Sequence, residues 1–134
     1  MKVSGKYYPN LKQSIVTIKD KHGIYTGVAY LHPDDTPNEI VGCNIAAQRA
    51  AKAKLRKRRD NLYIKIKTLK SFKKEVTNYC PLECENSMII DRLNITIAAY
   101  QKELSDVLIS IAEIKQEEKE GRKLREKIKA KMSK

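Results

Sequence analysis

The sequence predicts an α+β fold: an N-terminal antiparallel β-hairpin or small sheet followed by two long antiparallel α-helices. Three observations carry this. Residues 14–20 (SIVTIKD) and 24–31 (IYTGVAYL) are alternating, β-branched runs around a short Gly-containing turn. No Pro or Gly interrupts residues 43–80, where Leu55, Leu62, Leu69 and Val76 recur every seven residues. Residues 90–114 then carry two apolar series at the same spacing. The 134 residues suit a single domain, with a β region at 1–35, a first helix at 36–78 and a second at 86–132.

The elements follow in order. Residues 2–8 allow an earlier strand, ended by Pro9-Asn10. Lys21, His22 and Gly23 form the hairpin turn, and Gly27 inside the next run marks a bulge or a close backbone approach. His32-Pro33-Asp34-Asp35 breaks the strand. Thr36 then suits an N-cap, Pro37 the first helical position and Glu39 the third, a capping box next to two aspartates that favour the helix dipole. The first helix is expected to run to about residue 77, roughly 60 Å. Residues 45–55 are alanine-rich, Ile66 and Phe72 join the heptad stripe, and Asn78-Tyr79-Cys80-Pro81 ends it.

The second helix is expected to begin near Asn86 or Ser87. Ile90, Ile97, Leu104 and Ile111 form one seam, and Leu93, Tyr100, Val107 and Ile114 the other. Gly121 interrupts the pattern before a charged tail. A helical hairpin then sets residue 62 near 101 and 49 near 114, gathering the sheet, the start of the first helix and segment 122–129 at one pole. Both stripes are wider than one partner covers, so a homo-oligomer is expected, most simply a dimer.

The chain carries 28 basic and 16 acidic residues, a net charge of +12. It is concentrated: residues 52–74 hold eleven basic residues and only Asp60 against them. This stripe has two readings. One is phosphate contact by a nucleic-acid-binding protein. The other is a solvated helix face, partly neutralised by the acidic second helix of a neighbour. Lys52, Arg56 and Arg59 are the residues expected at a secondary phosphate site. No helix-turn-helix, zinc-finger or zipper signature accompanies the stripe.

Other chemistry is sparse. His32, Asp34 and Asp35 are explained as a strand-to-helix corner. Cys80-x3-Cys84 with Cys43 or His32 supplies too few paired ligands for an ordinary zinc site, so no metal and no cofactor are expected. There is no Gly-rich phosphate loop and no nucleophile elbow, so an enzyme is not expected. No apolar run approaches a membrane span, and the N-terminus lacks an apolar signal core; no membrane partner and a cytoplasmic site of action are expected. Arg122, Lys123 and Arg125 follow Gly121 and suit bidentate phosphate recognition, against the plainer role of a cationic C-terminal tail. Tyr25 and Tyr30 are the expected stacking face nearby. The heptads of the second helix also admit a coiled-coil inhibitor of another protein.

Segment 27–50 reads GVAYLHPDDTPNEIVGCNIAAQRA. Gly27, Ala29, Pro33, Asp35, Gly42, Ile45, Ala46, Arg49 and Ala50 trace a G-x-A-x-x-x-P-x-D…G-x-x-I-A-x-x-R-A pattern. With the hairpin and the two helices, this resembles the Thoeris anti-defense family of phage sponge proteins. The resemblance implies a protein that sequesters a cyclic ADP-ribose isomer without cleaving it, in the cytoplasm of an infected or lysogenic bacterium. It also implies dimers and higher assemblies such as a hexamer, and in some members a separate site for cyclic oligonucleotides. The implied pocket lies between protomers and uses C-terminal arginines, an aromatic and an Asn. On this chain the arginines are Arg122 and Arg125. Tyr100 and Asn94 are the candidates for the aromatic and the Asn, and Arg49 lies within the motif.

Overall fold

The computed structural model describes residues 1–31, 39–79 and 84–132, with side chains at 39, 79, 84–87 and 132 set aside. It is an α+β chain. Strands β1 (Lys2–Tyr8), β2 (Gln13–Asp20) and β3 (Gly23–Tyr30) precede helices α1 (Glu39–Tyr79) and α2 (Cys84–Met132). The corner at 32–38, with His32, Asp34 and Asp35 and the Thr36-Pro37 part of the capping box, lies outside the described residues, as do Cys80 and Pro81.

The sheet is an antiparallel meander in the order β1-β2-β3. The β1–β2 turn is closed by the Leu11 and Lys12 amides donating to the Tyr8 and Pro9 carbonyls. Lys12 there takes φ 51°, a left-handed conformation unusual for a residue with a side chain. In the β2–β3 turn, Asp20 Oδ1 accepts from the His22 and Gly23 amides at 2.8 and 3.1 Å. The β2–β3 register is unbroken from Gln13↔Tyr30 to Asp20↔Gly23, so Gly27 is not a bulge.

Alternation sorts the strands into two faces. Ser14, Val16 and Ile18 on β2, and Tyr25, Gly27 and Ala29 on β3, are buried. The residues between them are half-buried or exposed.

The chain forms two compact units. The first joins residues 1–56 to 111–134. Its core is Val16, Ile18, Tyr25 and Ala29 from the sheet against Ala46 and Ala50 of α1. Gly42, Ala46 and Ala50 recur every four residues, so they lie along one side of the helix. Across the sheet, Gly5, Val16 and Gly27 share one row. At Gly27 the contact is backbone to backbone: a Cβ there would sit 1.9 Å from the Ala46 carbonyl oxygen and 2.5 Å from the Ala50 nitrogen. Gly27 is thus a site of close approach, and the alanine-rich run is what permits it. Cys43 packs against this core, its sulfur 3.9 Å from where a Gly5 Cβ would lie.

The second unit, residues 57–110, is a helix pair. Leu62 and Ile66 of α1 and Ile97 and Val107 of α2 are buried. Leu69, Val76, Ile90, Leu93, Tyr100 and Leu104 are half-buried beside them, so the sevenfold stripes face inward. Arg58 pairs with Glu103, and Lys65 Nζ lies 5.5 Å from the Tyr100 ring centre. These contacts set α1 and α2 antiparallel, close to the expected pairing of 62 with 101. Phe72 departs from the expectation and is 49% exposed. Three residues beyond Leu69, it is turned about 60° off the seam. Among the described residues, no helix is long and apolar enough to cross a membrane.

Candidate anion-binding site

Four residues of the basic stripe of α1 meet carboxylates, all at its N-terminal end. Lys52 Nζ sits 2.9 and 3.0 Å from the two carboxylate oxygens of Glu118 on α2, both side chains mostly buried. Lys54 Nζ lies 2.9 Å from Asp20 Oδ2 at the hairpin turn. Arg58 pairs with Glu103, and Arg59 Nε is 3.1 Å from its neighbour Asp60. The partial neutralisation expected from a neighbouring copy therefore occurs inside the chain. Of the three residues expected at a secondary phosphate site, Lys52 and Arg59 are held by carboxylates and Arg56 is exposed.

The Lys54 ammonium is the main cause that holds the Asp20 carboxyl below its ordinary value of 3.8, helped by the turn amides of His22 and Gly23. This charge pair ties the hairpin tip to α1.

Further along α1, a shallow groove in the second unit is lined by Lys70, Lys73, Lys74, Thr77, Asn78 and Asn94 with Ile97 at its floor. The Thr77 hydroxyl is turned back to donate to the Lys73 carbonyl. Asn94 is exposed at this groove, and Tyr100 is half-buried under Lys65.

The first unit holds the remaining expected residues. Arg122 is exposed and Arg125 half-buried. Gly121 does not interrupt α2, which continues to Met132. A Cβ at Gly121 would come within 3.2 Å of an Arg125 guanidinium nitrogen, so the glycine makes room for Arg125 one turn on. The sequence signal for this was the spacing Gly121 to Arg125, read instead as a helix interruption.

Arg49 donates to the Val28 carbonyl at 2.5 Å, so it covers the free edge of β3. Tyr25 and Tyr30 do not form one stacking face. Five residues apart on a strand, they point to opposite sides. Tyr25 is 8% exposed in the sheet–helix core and Tyr30 is 71% exposed on the open face. Among the described residues, no three His, Cys, Asp or Glu side chains gather to hold a metal ion.

Compared with family models, with curated proteins and with solved structures, the chain matches none.

Proposed function

We propose that this chain is a non-enzymatic binding protein that captures a cyclic, pyrophosphate-bearing nucleotide and withholds it from a bacterial immune pathway, in the manner of the phage Thoeris sponges. The preferred ligand class is a cyclic ADP-ribose isomer. One observation carries the reading. The motif residues Gly27, Gly42, Ala46 and Ala50 form the sheet–helix joint of the compact unit that also holds Arg122 and Arg125.

The chemistry is that of capture. A pyrophosphate presents oxygens that two guanidinium forks engage in bidentate fashion. Arg125 is half-buried beside Gly121 and Arg122 is exposed. Asn94 and Tyr100 belong to the other compact unit. Their part in the pocket is assigned to a second copy, whose polar and aromatic groups close over the adenine. Burial between protomers removes most of the ligand from water, as tight capture requires.

Calorimetry with cyclic ADP-ribose isomers tests this, followed by recovery of the ligand from heat-denatured protein. Intact ligand returned after tight binding is expected, with Arg122→Ala and Arg125→Ala each weakening affinity at least about tenfold. Absence of binding heat together with no recovered ligand refutes the reading. Recovery of a linearised ligand replaces capture with hydrolysis.

A further inference from the structure

We propose that the open face of the sheet is a platform for single-stranded nucleic acid, distinct from the nucleotide site above. One face of the sheet is filled by α1, and the other carries Lys2, Lys6, Lys19, Tyr8, Gln13 and Tyr30 among its outward residues. No Asp or Glu occupies an outward position on the three strands; Asp20, at the end of β2, engages Lys54. The charges on this face are therefore all positive, set among the apolar side chains of Ile15, Ile24 and Val28.

Its aromatics are arranged for stacking. Tyr8, Gln13 and Tyr30 lie in one row across the three strands. Tyr8 is 39% and Tyr30 71% exposed. The flanking strands stand two strand spacings apart, about 10 Å. Rings so separated cannot stack on each other, so each presents a face to a base. The Gln13 amide between them has donors and acceptors for base edges. Lys6 Nζ lies over the Tyr8 ring, 5.5 Å from its centre, a cation–π contact that a stacking base would displace, freeing the ammonium for the nucleotide's phosphate.

The charge chooses among occupants. Two copies meeting face to face by a twofold axis would set three lysines against the same three, with no carboxylate to relieve them. A duplex hides its base faces within the stack. An unpaired strand offers both phosphates and free base faces. On the helix stripe Lys52, Lys54, Arg58 and Arg59 already meet carboxylates, which leaves exposed lysines such as Lys67, Lys70 and Lys74 as the competing contacts.

Fluorescence anisotropy of the full chain with a labelled oligothymidylate, and with the same strand annealed to oligoadenylate, tests the platform. The single strand is expected to bind at least about tenfold tighter than the duplex, and Tyr8→Ala and Tyr30→Ala each to weaken it about tenfold. Three lysine contacts on a single strand predict a log–log salt slope of about −2, lost in the Lys2→Ala/Lys6→Ala/Lys19→Ala variant. Lys67→Ala/Lys70→Ala/Lys74→Ala is expected to change little. Circular dichroism checks that each variant is folded. Equal binding of duplex and single strand overturns the proposal, as does loss of binding in the helix variant alone. A fall in sedimenting mass of the tyrosine variants with affinity unchanged also overturns it, and assigns the face to a second copy.

Discussion

The two compact units are held together by opposite means. The sheet–helix unit is packed by what its residues lack: Gly27 and Ala46 bring backbone against backbone, and Ala50 is fully covered. The helix pair is packed by what its residues carry: Leu62, Ile66, Ile97 and Val107 fill the seam with branched side chains. The first arrangement fails when an atom is added, the second when atoms are removed. Ion pairs occur in both units, Arg58 with Glu103 and Arg59 with Asp60 in the second. Lys52 and Lys54 in the first unit are tied to Glu118 and Asp20. The lysines of the second unit's groove face solvent apart from Lys73, which is half-buried.

The sharpest break is Gly27→Ala. Its methyl would overlap the Ala46 carbonyl and Ala50 amide, which are rigid helix backbone, so α1 must lift from the sheet. A loss of about 3 kcal/mol or more is expected, read by thermal or urea unfolding. A near-neutral Gly27→Ala refutes the close-approach account. Leu62→Ala breaks the other unit by leaving a void among Ile66 and Ile97. About 2–3 kcal/mol is expected, the low end of such truncations, because a two-helix seam relaxes more readily than a closed core. The same melts measure it.

Gly121→Ala inverts the sign seen at Gly27. The space at Gly121 is taken only by the mobile end of Arg125, and the helix gains a better former. A stabilisation of about 1 kcal/mol is expected. Calorimetry on the same variant then shows whether displacing Arg125 weakens nucleotide capture. The smallest effect concerns Asp20. Its carboxyl is depressed in the folded chain, chiefly by Lys54, so its contribution is present above the ordinary value of 3.8 and is lost as pH falls through the depressed one. Between neutral pH and about pH 3, Asp20→Asn should lose less stability than the wild type. An identical acid profile in the two proteins would show that the hairpin–helix ion pair contributes nothing.

Much of the architecture was legible in the residues. Period two in residues 14–20 and 24–31 gives the buried and open rows of β2 and β3, and period seven picks out Leu62, Ile97 and Val107 as buried. Phe72 and Gly121 were misread for local reasons. A one-turn step from Leu69 was counted as part of the stripe, and a glycine was taken as a stop although α2 has enough good formers on both sides to continue. The candidate site was less legible. Tyr25 and Tyr30 look alike in sequence, yet an odd spacing on a strand gives one to the core and the other to solvent.

Periodicity and composition alone determined that this chain makes a small sheet and two helices, that sevenfold apolar stripes line the helices, and that its positive charge is concentrated on the first of them. These are properties of short windows, where the 2.0 and 3.6 residue repeats dominate. Only the tertiary structure decided what distant residues do to each other. It matched Gly27 to Ala46, turned the Lys52 and Lys54 charges into ion pairs with Glu118 and Asp20, and packed α1 against one face of the sheet. Sequence spacing carries no information on such meetings, because they depend on how two faces dock rather than on how either one forms.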